Sequence, residues 1–500
     1  MLTHKYQHWY TKIVGLPDLQ LVGIVVAVLL LAGLSVIRPQ FFKLLAISTI
    51  KKSWRAIKRL VRSRRLASRD GVSIAGEFIP DSACLRQTHI TGATGSGKTV
   101  LQEQLIFERL AAGYGAMIID PKGDRALRNR VLDFCRSIGR EKHFHFLSAS
   151  WPKESVRWNP CSLGNASELQ SKWFNSGVYR EPFYAKACEL GLLEAFNSLI
   201  DDRPKHFTLD DLVRQLKKQA GDGKQQNTTG LFLDLQAFAK SEWGPVLCMP
   251  QGVMDLDRPV ISLLDITSRN EILFVDIPTE AKAVQSARVG KLLLQEMMLV
   301  SGLRKIHPEL KGNRPFAVFV DEFDAFATEN FATFLNKGRS SDFMIHIAHQ
   351  TLSDLDRVSP TFKGQVMGNC NVRFIFRQDD PKDAEEWSKY LGTKHVIKKT
   401  FRTSSGMQTG EASNRETEEF NVHPNTIKSL KVGECIFSMK TEKVLRTLKI
   451  PYPPTRPKRR GGVLEREMPK PCIDGQIRRA DIVLATDQMK ELLDASGGDL

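Results

Sequence analysis

The stretch HITGATGSGKTVLQEQLIF, His89 to Phe107, decides how this chain is read. It holds the pattern G-x-x-x-x-G-K-[ST] complete: Gly92, then Ala93, Thr94, Gly95 and Ser96, then Gly97, Lys98 and Thr99. Successive backbone N–H groups closing round a phosphate at a helix N-terminus need glycine's backbone freedom, and the lysine neutralises the β- and γ-phosphates. The hydroxyl of Thr99 is the expected Mg²⁺ ligand. The flanks suit this reading. LRQTHIT (85–91) reads as a strand entering the loop, and TVLQEQLIFERLAA (99–112) leaves it with apolar residues at helical spacing. ATP and Mg²⁺ are the cofactors expected.

Hydrolysis needs a second strand that ends in carboxylates. RPFAVFVDEFDAF (314–326) supplies it: Phe316 to Val320 is a continuous apolar run suited to a central parallel strand, with Asp321 and Glu322 at its C-terminal edge. Asp321 is expected in the metal shell and Glu322 as the group that polarises the attacking water. Similar runs recur at 115–120 (GAMIID), 271–277 (EILFVDI), 343–350 (FMIHIAHQ), 372–378 (VRFIFRQ) and 433–439 (GECIFSM). Such strands separated by helical stretches predict an α/β fold with a doubly wound, mostly parallel sheet. Gln350 emerges with His349 at the end of one run. It fits either a reporter of the γ-phosphate or a turn residue opening the next helix.

Lys98 and Asp321 are 223 positions apart, far more than two or three strand–helix units need. The excess lies in 161–251, which lacks strand-like runs and carries the helical stretches EPFYAKACELGLLEAFNSLI, TLDDLVRQLKKQ and TGLFLDLQAFAKSEW. Thr208 followed by Asp210 and Asp211 reads as a helix start. We expect an all-α domain at 161–251 spliced into an α/β domain formed by 71–160 and 252–450, with a linker and tail at 451–500. RTSSGMQTGEASNRETEE (402–419) is polar enough to predict a mobile loop.

The N-terminal 70 residues read differently. Leu21 to Ile37, LVGIVVAVLLLAGLSVI, is uncharged and at the short end of the ~17–25 residues that span a bilayer as a helix. Lys5 and Lys12 precede it, whereas Arg38 to Arg69 holds eleven Lys/Arg and no Asp or Glu. That order opposes a cleaved signal peptide and predicts a single-pass membrane anchor with the bulk of the chain cytoplasmic. The basic strip also accounts for most of the net charge: 72 Lys/Arg minus 56 Asp/Glu gives +16 over 500 residues, of which +11 lies there. Overall basicity is therefore no argument for nucleic-acid binding. The eight cysteines, at 84, 135, 161, 188, 248, 370, 435 and 472, show no metal-ligand spacing and read as reduced thiols.

GATGSGKT, IIDPKGD (118–124), RWNP (157–160), VFVDEF (318–323) and IAHQTLSDL (347–355), behind an N-terminal anchor, resemble the TraG/TraD-type coupling proteins of type IV secretion and conjugation systems. The resemblance spans about 75–450, and DPKGD is its most telling piece. It implies a RecA-like P-loop NTPase domain with an inserted all-α domain and a hexameric ring at the inner membrane. It also implies that ATP drives delivery of a relaxase–DNA complex to the secretion channel and transfer of single-stranded DNA through it. On this resemblance the phosphate site maps to Gly92 through Thr99, the carboxylates to Asp321 and Glu322, and the sensor glutamine to Gln350. An arginine given in trans by the adjacent subunit is expected, with Arg339 and Arg377 both candidates. This chain shows one membrane span where such proteins often have two. The alternatives are a nucleotide-gated docking module for secreted proteins without translocation, and an FtsK-like DNA translocase. The latter is disfavoured by the single span.

Overall fold

A computed structural model describes residues 70–453 except 124, 180, 203–206, 222–227, 248–257, 281–282 and 405–406, and of 283 and the rest of 399–413 it describes the backbone alone. The anchor expected at 21–37 and the tail beyond 453 lie outside the described residues. Among the described residues no helix is long and apolar enough to cross a membrane.

The chain opens with a small hairpin, β1 (Gly71–Ile74) and β2 (Glu77–Pro80). The central sheet then takes β3 (Thr88–Thr91), β4 (Gly115–Asp120), β5 (Phe144–Ser148), β8 (Ile272–Asp276), β9 (Phe316–Val320), β10 (Phe343–His349), β11 (Val372–Ile375), β14 (Glu434–Met439) and β15 (Val444–Lys449). Their order in space is β15-β14-β11-β3-β10-β9-β4-β8-β5. Every neighbour pair from β11 to β5 is parallel, while β14 and β15 close one edge antiparallel. The run at 433–439, counted among the parallel-type strands, is therefore an antiparallel strand paired between β11 and the edge strand β15.

Burial on both faces explains why the central strands read as unbroken apolar runs. Along β9, Phe316, Val318 and Val320 enter one core, while the alternate Ala317 and Phe319 enter the other. The first core is covered by α7 (Ala283–Ile306) through Leu292 and Val300 and continues into the inserted helices. The second is covered by α1 (Lys98–Ala111) and α2 (Arg125–Ser137), through Leu101, Leu105 and Phe134.

Four main helices fill the interval between β5 and β8: α3 (Ala166–Ser176), α4 (Pro182–Asp202), α5 (Leu209–Gly221) and α6 (Thr229–Ala239). Asn165 and Glu168 form a reciprocal capping box at the start of α3, and the Thr208 N–H donates to Asp211 Oδ2 at 2.9 Å at the start of α5. The chain leaves along β6 (Arg157–Trp158) and returns along β7 (Val260–Ile261), which pair side by side. A buried triad joins the helices to α7. Lys172 Nζ lies 3.0 Å from Glu296 Oε2, and Trp158 Nε1 donates to Glu296 Oε1 at 3.1 Å.

The polar segment 402–419 is not a loop. β12 (Thr393–Ser404) and β13 (Met407–Phe420) form a long antiparallel ribbon after helix α8 (Pro381–Leu391). Its pairing sets Lys394 opposite Glu419 and His395 opposite Glu418, and Lys398 Nζ reaches Glu419 at 2.8 Å. A basic strand against an acidic one supplies the cross-strand attraction that apolar alternation normally gives. The six described cysteines (84, 135, 161, 188, 370 and 435) are free and buried.

Candidate active site

The phosphate-binding loop leaves the buried end of β3 and re-enters structure at Lys98, the first residue of α1. Gly92 and Gly97 carry φ of +154° and +116°. A Cβ on Gly92 would sit 2.5 Å from the Phe376 Cβ, and one on Gly97 would sit 3.3 Å from the Phe376 ring, so only glycine fits both. The loop is gripped from two sides. Ala93 N–H donates to the Arg377 carbonyl, and Gly433 N–H donates to the Ser96 carbonyl, both at 2.8 Å. Thr94 and Gly95 stay exposed at the tip, and the Ser96 hydroxyl is buried without a partner. Lys98 Nζ donates to the Gly92 and Ala93 carbonyls and thus lies inside the loop. Burial lowers its pKa, with Lys122 adding to the effect and Asp321 and Glu322 opposing it.

The carboxylates arrive on neighbouring strand ends. Asp321 follows β9, its N–H donating to the Ile119 carbonyl of β4. Glu322 sits in the left-handed region at φ +43°, a conformation that costs a non-glycine residue about 1–2 kcal/mol and is found where geometry matters more than comfort. Burial and then the Asp321 charge push the Glu322 carboxyl above its ordinary pKa. On the other side of β9, β10 delivers Gln350, whose side-chain oxygen accepts from Thr94 Oγ1 at 2.9 Å. The expected reporter thus touches the phosphate loop itself. Behind it, His349 Nδ1–H donates to the Thr351 carbonyl, and its Nε2 meets His89 Nε2 of β3 at 2.5 Å. Burial holds His349 down at about 4, so this pair is neutral.

Three residues of the site were not singled out from the sequence: Asp120, Lys122 and Asp276. Asp120 and Asp276 are register partners at the ends of β4 and β8, both buried. Burial, and secondarily the Asp321 and Asp276 charges, raise Asp120 to about 7 against the pull of Lys122, and its Oδ2 has no partner among the described residues. Lys122 Nζ donates to Thr99 Oγ1 at 2.9 Å and to Asp321 Oδ2 at 2.8 Å. Burial disfavours the ammonium, but the Asp321 charge and hydrogen bond, with Asp120 and Glu322, hold its pKa above the ordinary lysine value. The signal was in the sequence, as the lysine of DPKGD, but nothing local says where its side chain lands.

Of the two candidate arginines, Arg377 follows β11 on the phosphate-loop edge, and its guanidinium binds Asp379 at 2.9 Å. Arg339 is exposed on the short turn Gly338–Ser341 before β10, at the N-terminal end of the parallel strands, opposite the phosphate loop. The structure does not bring it to this chain's own loop.

The donor set fits a magnesium nucleotide. Two hard oxygens, Thr99 Oγ1 and Asp321 Oδ2, converge on one cationic atom beside a glycine cradle that any Cβ would fill.

Comparison with known proteins agrees with this geometry. Residues 315–431, which hold Asp321, Glu322, Gln350 and the ribbon, match the family model described as the TraM recognition site of TraD and TraG. The type 4 coupling protein DotL of Legionella pneumophila is 22% identical, over 62% of this chain and 50% of its own length. The chain therefore spans about half the length of the curated relative it matches. Among solved structures, the conjugative coupling protein TrwB lacking its N-terminal segment superposes with a TM-score of 0.59 at 19% identity, covering 78% of this chain and 90% of that one. TrwB in complex with ADP and Mg²⁺ superposes at 0.57 with 19% identity, covering 77% and 89%. The α/β architecture expected from the sequence is thus the fold of these neighbours. In motif, in sequence and in fold, the chain is similar to the type IV coupling proteins, the TraG/TraD-type family whose signatures it carries.

Proposed function

We propose that the chain is the ATP-hydrolysing coupling protein of a type IV secretion system. In this reading Leu21 to Ile37 anchors it in the bacterial inner membrane, with the bulk of the chain cytoplasmic. Residues 71–160 with 252–450 form the motor domain, 161–251 the all-α domain, and 451–500 the linker and tail. A homohexameric ring receives a relaxase–DNA complex, presents it to the secretion channel and drives single-stranded DNA outward. The observation that carries the proposal is the meeting of the phosphate loop, the Asp321–Glu322 pair and Gln350 at one sheet edge, with Gln350 bonded to Thr94 of the loop.

The division of labour follows from the positions. Lys98 and the loop N–H groups hold the phosphates, and Thr99 and Asp321 hold the metal. Mg²⁺ supplies charge neutralisation at the phosphate oxygens. Glu322 orients and polarises the attacking water, and its raised pKa makes it a better proton acceptor than an ordinary exposed carboxylate. Gln350 carries the state of the γ-phosphate from the loop into β10. Arg339 is the better candidate for action in trans, because a residue that serves a neighbouring subunit has to face away from its own loop.

A docking module that binds nucleotide without turnover has no need of a carboxylate held in strained backbone beside Asp321, which favours the motor. The test is ATP hydrolysis by the purified chain with and without single-stranded DNA, over rising salt, with Lys98→Ala as control. DNA-stimulated turnover that weakens with salt and vanishes in the control is expected. Nucleotide binding with a DNA-independent rate would replace the motor by the docking module.

A further inference from the structure

Lys122 occupies a position the proposed chemistry does not use. It is the central residue of the three-residue turn Pro121–Gly123 that follows β4, and the backbone of that turn is pinned. The Lys122 N–H donates to Asp120 Oδ1 at 3.2 Å, and the Pro121 carbonyl accepts from the Thr279 N–H at 3.0 Å and from its hydroxyl at 3.3 Å. Gly123 has φ +68°, and a Cβ there would lie 3.1 Å from the Pro278 side chain. The side chain is different. It is 41% exposed, and its ammonium touches two oxygens that come from positions 23 and 199 residues away.

Those two oxygens are the proposed Mg²⁺ ligands, Thr99 Oγ1 and Asp321 Oδ2. An ammonium bridging both oxygens at 2.8–2.9 Å occupies the gap between them that a divalent ion at ~2.0–2.1 Å from each would have to enter. Two cations on one carboxylate oxygen also repel, so one must leave when the other arrives. We propose that Lys122 is a positioning residue that holds the metal ligands in place as a tethered cation and is displaced by the metal that enters with the nucleotide. This rests on the nucleotide-site reading above. The pinned turn keeps the displaced ammonium near, with Asp120, Glu322 and Asp321 still its electrostatic neighbours, so it returns when the metal departs. Metal affinity without nucleotide is thereby kept low, and the turn before α2 senses whether the site is loaded. By linkage, whatever Lys122 gains from Asp321 is subtracted from the metal.

The experiment is binding of a fluorescent ADP analogue to the full chain, titrated with Mg²⁺, for the natural protein, Lys122→Met and Lys122→Arg. Lys122→Met keeps the aliphatic stem and removes the competitor, and is expected to lower the Mg²⁺ concentration for half-maximal binding by about 5-fold or more. Lys122→Arg, which keeps the charge, is expected to stay near the natural protein. An unchanged or raised Mg²⁺ requirement in Lys122→Met overturns the proposal, a raised one assigning Lys122 to the loaded site instead. A natural protein that melts cooperatively yet binds no analogue at any Mg²⁺ concentration overturns the nucleotide-site reading itself. If Lys122→Met does not fold, acylation of the natural chain read by mass spectrometry serves in its place. Lys122 should gain reactivity with Mg²⁺ and ADP together but not with ADP and chelator, and equal reactivity in both overturns the displacement.

Discussion

Replacing Lys172 with methionine removes one end of an ion pair in which both side chains are 1% exposed and leaves the other end in place. Glu296 would keep the Trp158 indole N–H at 3.1 Å but lose its only charged hydrogen-bond partner among the described residues, and the Leu163 carbonyl would lose the ammonium that reaches it at 3.1 Å. Breaking a buried pair by removing one partner costs about 3–5 kcal/mol, chiefly because a charge is left buried alone. The double variant Lys172→Met with Glu296→Leu removes both charges and should cost the orphaned Trp158 N–H, about 1–3 kcal/mol, beyond the Leu163 carbonyl contact that both variants lose. The double should therefore be more stable than Lys172→Met by about 2 kcal/mol. Urea unfolding followed by tryptophan fluorescence reads this directly, since Trp158 and Trp173 are both buried at this joint. Lys172→Met costing under about 1 kcal/mol, or a double variant weaker than the single, would show that the pair is not the clasp between helices and sheet that its burial implies.

Glu322→Gln should lower ATP turnover by about 10²–10⁴-fold with nucleotide binding retained; an unchanged rate in a stopped assay removes Glu322 from the chemistry. Gly92→Ala should abolish nucleotide binding without unfolding the chain, since its Cβ would meet Phe376 at 2.5 Å, and wild-type affinity by fluorescence titration would refute the tight cradle. Burial lowers the pKa of His89, His346 and His349, the last to about 4. Depressed folded values mean that their stability contribution is complete above the unfolded pKa of about 6.5 and is lost as pH falls below it, at about 1 kcal/mol each between about pH 6.5 and 5.5. His346→Phe tests this. The His346 ring stacks on Phe319 at 4.5 Å, and neither nitrogen has a partner among the described residues. The variant should remove about 1 kcal/mol of the stability lost between about pH 6.5 and 5.5, and an unaltered slope counts against the assignment.

The features legible in the sequence are those carried by contiguous residues. The glycine spacing of the phosphate loop, the buried strand runs and the carboxylates after Val320 each satisfy their own local physics. The Asn165 box that opens α3 is equally local, a signal of the same kind that the helical stretches named above do not include. What escaped depends on pairing at a distance. The ribbon at 393–420 has no apolar alternation, and its stabilising contacts, such as Lys398 with Glu419, exist only once two polar strands lie in register. Lys122 meets Thr99 and Asp321 because β4 lies beside β9, a fact of sheet order that no motif states.

The neck formed by β6 and β7 has a consequence for how such proteins diversify. Because the chain departs at Trp158 and returns at Ile261 on adjacent strands, the two ends of the helical insert are already held together by the sheet-bearing part. An insert of different length or helix number can be exchanged there without altering sheet order or the phosphate loop, provided it fills the seat over α7 and satisfies Glu296. The helical insert and the sheet-bearing part can then evolve at separate rates within one polypeptide, with compatibility between them policed at a handful of side chains.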